Sequence, residues 1–131
     1  NCTFSDGDLF GAELRSCKCT GSRFAGAELS GLRIHGGDYG YTSFFGSSLR
    51  GMNFSGIPFP YADLRECDMR KSDLRECDLS HALLDGAKLW EADLRGANLS
   101  GVNLQNLLLR KTRIDIGQAI QFAEQQGCIV G

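Results

Sequence analysis

Apolar side chains recur along this chain at every fifth residue. From Ala62 to Gly101 the sequence divides into the blocks ADLRE, CDMRK, SDLRE, CDLSH, ALLDG, AKLWE, ADLRG and ANLSG. Position one of each block is small, position two is usually Asp or Asn, and position three is apolar. The same phase extends backwards through Phe59, Phe54, Leu49, Phe44, Tyr39, Ile34, Leu29, Phe24, Cys19, Leu14, Leu9 and Phe4. It extends forwards through Leu104, Leu109 and Ile114, without an insertion. A period of five fits neither the 3.6 residues of a helical turn nor the two of a strand. Short fixed periods instead mark solenoids, in which each coil buries its apolar residues against its neighbours.

A second spacing sets the size of the coil. Phe4, Phe24 and Phe44 lie twenty residues apart, as do Leu74 and Leu94. Four five-residue sides therefore make one coil, with like residues stacked at about the 4.8 Å strand spacing. The expected core is the position-three column, including Phe4, Phe24, Phe44, Phe54, Leu64, Leu74 and Leu94. Small residues such as Ala62, Cys67 and Cys77 are expected to fill the corners inside. Position five is often Gly, which suits a tight corner requiring positive φ.

These blocks resemble the pentapeptide repeat family, whose pattern is A(D/N)LXX, over about residues 2–114. The resemblance implies an all-β fold, a right-handed quadrilateral parallel β-helix. It places the repeat domain at residues 1–114 and a short C-terminal helix and tail at 115–131. At that end, Asp115 with Gln118 reads as a capping box and Gly127 as a helix terminator. Ile116, Ala119, Ile120 and Ala123 share one helical face, expected to close the bottom of the apolar column. Phe122 is expected to point elsewhere. Phe122 and the apolar tail Cys128-Ile129-Val130 suggest self-association, with Ile120, Phe122, Ala123, Ile129 and Val130 at a dimer interface.

This C-terminal end, from Ile114-Asp115 through Gly127 to Gly131, is similar to that of the pentapeptide proteins conferring quinolone resistance. In that subgroup the resemblance implies a homodimer whose rod mimics duplex DNA and binds a type II topoisomerase such as DNA gyrase. The chain lacks the loop insertions that many of those proteins carry.

Charge sharpens the picture. The net charge is −2 and the pI about 5.6, which gives no footprint for binding nucleic acid directly. DNA carries a negative charge about every 1.7 Å, so a rod of about 28 Å needs on the order of ten net negative charges to compete electrostatically. Mimicry must then rest on one acidic side. The best is the side with Asp63, Arg65, Glu66 and Asp85, which sums to −2 with Asp6 and Arg23. Asp63, Glu66 and Asp85 are the candidate partner-binding residues. The next side sums to +2, from Arg50, Arg70, Lys71, Lys88, Arg110 and Lys111 against Asp8, Glu28, Asp68 and Glu91. There Arg70, Trp90 and Arg110 share a column, which predicts a cation–π stack. A structural or adaptor solenoid holding an unrelated partner is the alternative function.

Residues 36–61 keep the phase but lose the consensus. Their Tyr41, Phe45 and Tyr61 either overlie the surface or form a contact patch. Pro58 and Pro60 remove two backbone donors there. The chain starts in repeat phase at Asn1, and its first coil needs either a preceding segment or a partner to cover its edge. Six cysteines lie mostly at small inward positions, with none twenty apart. They read as buried thiols in a reducing, cytoplasmic setting rather than as disulfides or a metal site. His35 and His81 point outward on different sides, and a rod filled with Leu and Phe offers no cleft. Neither an enzyme, a cofactor, a catalytic group nor a metal is expected, and no stretch is apolar enough to span a membrane.

Overall fold

A computed structural model describes residues 9–131. Two short strands, β1 (Glu13–Arg15) and β2 (Arg33–His35), pair in parallel with Glu13 opposite Arg33. The remaining pairing is a succession of single parallel bridges. Lys18 pairs with Asp38, Ser43 with Asp63, Ser48 with Asp68, Asn53 with Asp73 and Asp93 with Arg113. Every bridge joins residues twenty apart, so the chain is a parallel β-helix advancing one rung per twenty residues. One helix, α1 (Ile116–Gln125), follows the last rung.

Each block accounts for its own backbone donors. The position-three N–H donates to the next coil, as in Leu64 to Leu83 at 2.8 Å and Leu74 to Asp93 at 2.9 Å. The position-two N–H donates to the previous coil, as in Asp63 to Thr42 at 2.8 Å. The position-one N–H closes a corner onto the residue three before it, as in Ala62 to Phe59. Position five takes a left-handed conformation even where it is not Gly, as at Tyr61, Glu66, Lys71, Glu76, His81 and Glu91.

The position-four N–H is satisfied by the position-two side chain. Asp63, Asp68, Asp73 and Asp93 accept from the backbone of Arg65, Arg70, Arg75 and Arg95, and Asn53 and Asn98 do the same for Ser55 and Ser100. This local bond is the physical reason for Asp or Asn at position two. Pro58 has no such acceptor, and the matching position four is Pro60, which has no donor. The two prolines are therefore compatible at that corner.

The core is one column. Phe24, Phe44, Phe54, Leu64, Leu74 and Leu94 are buried, as are Cys67, Cys77 and the alanines from Ala62 to Ala97. Phe4 lies outside the described residues. Phe24 and Phe44 stack with centroids 4.7 Å apart, and Phe59 packs edge-on against Phe44 and Phe54. Leu109 departs from expectation: it holds an inward position yet is 41% exposed, because no further coil covers it.

Helix α1 caps the column with the face opposite to the one expected. Ile116, Ala119 and Ile120 point to solvent, Ile116 being 82% exposed, whereas Gln118 is buried. Phe122, expected to point away, packs against the core. On the last rung the Leu94 and Leu99 carbonyls accept corner N–H bonds, but no further coil donates to those of Ala97 and Val102, and apolar side chains cannot satisfy them. Gln118 donates to the carbonyls of Leu94 and Ala97, Gln121 to Leu99, and Gln125 to Val102. Gln125 also accepts from the Leu104 N–H. The capping box of Asp115 and Gln118 forms as expected, and Asp115 also accepts from Gly96.

Candidate functional site

The described surface offers shallow depressions, and no group of three or more His, Cys, Asp or Glu among the described residues converges on a metal position. Chemistry on this rod is therefore a matter of what its walls and its end display.

On the acidic side, Asp63 is closed by Arg65 in a bidentate pair at 2.9 and 2.8 Å. The arginine hydrogen bond holds the Asp63 carboxyl below the ordinary carboxylate range despite partial burial. Arg65 also lies 5.2 Å over the exposed Phe45 ring. Glu66 rests its carboxylate on Gly86, where any side chain would collide with it. Asp85 is exposed. The three candidate carboxylates thus share one wall, but Arg65 neutralises the first of them and leaves Glu66 and Asp85 to set the field. Leu83 replaces the usual Asp at position two and is exposed.

On the neighbouring side, the guanidinium carbons of Arg70 and Arg110 sit 5.8 Å from either face of Trp90. Arg70 is engaged by Asp68, and Lys71 stands 3.9 Å from Glu91. A third side repeats the Asp–Arg motif at Asp73 with Arg75 and Asp93 with Arg95. Arg75 also reaches Asp93 one coil on, at 3.9 Å. His35 on that side sits 3.4 Å from Glu13. The fourth side carries an exposed ring ladder. Tyr41 and Tyr61 stack at 4.9 Å, and Tyr61 and His81 at 4.8 Å.

The buried thiols of Cys67 and Cys77 donate to the carbonyls of Phe44 and Phe54. Burial pushes both up to about 12, so neither is a nucleophile at neutral pH.

At the C-terminal end, Ile120, Ile129 and Val130 are exposed, Ile129 almost completely, and Leu108 and Leu109 join them. Ala123 is half-buried and Phe122 belongs to the cap. Sequence reasoning missed Gln121 and Gln125, and in Gln118 it found the capping box but not the bonds to the last rung. The spacing of these glutamines is helical, so the signal was a polar stripe with the same period as the apolar one.

A sequence model of pentapeptide repeats matches residues 8–38, 42–76 and 77–114, in eight copies. No curated protein matches the chain in sequence. Among solved structures, a pentapeptide repeat protein from the Arabidopsis thaliana thylakoid lumen is similar at 20% identity and a TM-score of 0.62, covering 93% of this chain and 74% of that one. A trypsin-treated variant of QnrB1, a plasmid-mediated fluoroquinolone resistance protein, is similar at 16% identity and a TM-score of 0.65, covering 99% and 66%. A second QnrB1 form gives 19% identity and a TM-score of 0.52, covering 100% and 88%. At these identities the likeness is one of fold.

Proposed function

Because the chain belongs to the pentapeptide repeat family, we propose that it is a non-catalytic, protein-binding rod built as a right-handed quadrilateral β-helix. Residues 1–114 form the rod and 115–131 a capping and dimerisation unit. The observation that carries this reading is the unbroken buried column from Phe24 to Leu104. Among the described residues it fills the interior with side chains and leaves shallow walls and an apolar end for function.

The specific partner proposed is a type II topoisomerase such as DNA gyrase, met by the wall of Asp63, Glu66 and Asp85. Support comes from the shape shared with QnrB1; the dimer proposed below would double the rod's length. A gyrase supercoiling assay with a fluoroquinolone tests it. Protection from the drug or inhibition of supercoiling is expected at micromolar protein, and neither effect at that concentration eliminates this partner.

The Asp63–Arg65 pair favours a second reading. A wall on which an arginine closes one of three carboxylates is a weak imitation of a phosphate backbone, and suits an adaptor for an unrelated protein in the cytoplasm. Dimerisation is proposed through Ile120, Ala123, Ile129 and Val130. Phe122 supports that surface from beneath, so Ile120→Asp with Ile129→Asp is a cleaner test than Phe122→Asp. The wild type is expected to sediment as a dimer at tens of micromolar and the double variant as a folded monomer. A wild-type monomer ends the claim.

A further inference from the structure

The side carrying Trp90 treats its arginines differently from the other walls. Elsewhere an Asp two residues earlier closes the arginine: Asp63 on Arg65, Asp73 on Arg75 and Asp93 on Arg95. On this side only Arg70 has such an acid, Asp68. Ser48 stands before Arg50, Lys88 before Trp90, and Leu108 before Arg110. The ion pairs on this side among the described residues are Arg70–Asp68 and the loose Lys71–Glu91. Arg50, Arg110 and Lys111 therefore stand exposed without an ion pair, while the exposed Lys88 lies beside Asp68 and acts on that carboxylate. Between residues 48 and 111 this wall sets six cations against two carboxylates, +4 within a chain of net −2.

Geometry adds to charge. Arg50, Arg70, Lys71, Trp90, Glu91 and Arg110 line a shallow depression of about 260 Å³. Trp90 holds Arg70 and Arg110 against its two faces, which fixes the guanidinium planes without neutralising them. Both indole faces are thereby occupied. Single-stranded nucleic acid binders need such faces free for stacking bases, so this wall lacks the device that would hold a nucleobase. Arg50 and Arg110 instead lie three coils or about 14 Å apart, a distance that four residues of an extended peptide span at about 3.3 Å each, with the two carboxylates on one face.

We propose that this wall is a docking strip for an acidic segment of a partner protein, its Asp or Glu carboxylates received by Arg50 and Arg110 on either side of the Arg70–Trp90 pair. The strip lies on a different wall from Asp63, Glu66 and Asp85 and does not depend on the topoisomerase reading.

A fluorescein-labelled decaglutamate peptide is the probe, titrated into the full chain at moderate salt. Trp90 is the only tryptophan, so its emission reports binding at this wall directly. Saturable binding is expected, with a change in Trp90 emission. Affinity should fall about tenfold or more in Arg50→Glu with Arg110→Glu, the range for losing close charge pairs at an interface. Ser48→Asp should weaken binding by closing Arg50 as Asp68 closes Arg70, and Lys18→Glu on another wall should leave affinity unchanged. Arg50→Glu alone alters an exposed residue with no ion pair and keeps the test decisive if the double variant misfolds. The proposal is overturned by no saturable binding, by equal loss in Lys18→Glu, or by tighter binding of a decathymidylate strand than of the peptide. Each of these leaves the supercoiling assay free to succeed or fail separately.

Discussion

At the scale of the residue, the repeat is a solution to two local problems. The position-two carboxyl or amide satisfies a corner N–H, and position five accepts a left-handed backbone. Asp63, Asp68, Asp73 and Asp93 are each held below the ordinary carboxylate range, chiefly by the hydrogen bond from their arginine. Their folded pKa values lie below the unfolded one, so their stabilisation is complete above about pH 4 and is lost as pH falls through the lowered values. Urea midpoints followed from pH 7 to 2 should hold to about pH 4 and then drop; a flat profile contradicts these bonds. At position five, Gly51 has φ +70 with open space around it, whereas a Cβ at Gly101 would collide with the His81 ring. Gly51→Ala should cost about 1 kcal/mol from left-handed strain. Gly101→Ala should cost more, because His81 must also leave Tyr61. Equal losses in denaturant unfolding would show that the ring ladder contributes nothing. Most of this scale was legible in the sequence, since Asp, Leu and Gly recur for reasons that act within five residues. The Pro58 and Pro60 pairing was not, because its logic depends on which donor each position uses.

At the scale of the element, helix α1 shows where pattern reading runs out. An apolar stripe of Ile116, Ala119, Ile120 and Ala123 suggested the buried face, by the usual rule for surface helices. The end of a β-helix is not an oily surface alone; here it also carries the Ala97 and Val102 carbonyls, which no further coil pairs. Glutamines meet that demand and isoleucines do not. Gln118 bonds the carbonyls of Leu94 and Ala97 at 2.6 and 3.0 Å and closes the capping box as well. Gln118→Ala should therefore cost about 2 kcal/mol, combining the lost half of the capping box with the Ala97 carbonyl left unpaired. It should also reduce helical circular dichroism before the β signal melts. A loss below about 0.5 kcal/mol, typical of an exposed site, would mean the helix does not seal the rung.

At the scale of the whole molecule, function follows from a filled interior. Among the described residues the walls carry shallow depressions rather than a cleft, so specificity falls to wall chemistry: sides on which an Asp is closed by its arginine, a side with open arginines, a ring ladder and an apolar end. Columns of like residues were readable from the twenty-residue spacing, including the Trp90 sandwich. The state of each charge was not, because closure of an arginine depends on its neighbour two residues earlier. The whole account rests on adjacent positions facing opposite ways, and Ser48 and Leu49 test that most directly. Ser48 is exposed and Leu49 is buried. In urea unfolding, Leu49→Asp should lose about 4 kcal/mol or more, since it buries an unpaired carboxylate. Ser48→Asp should match or exceed the wild type, because it restores the Asp-Leu-Arg block. Similar losses in the two variants, or a tolerated Leu49→Asp, would contradict the inward column and everything built on its walls.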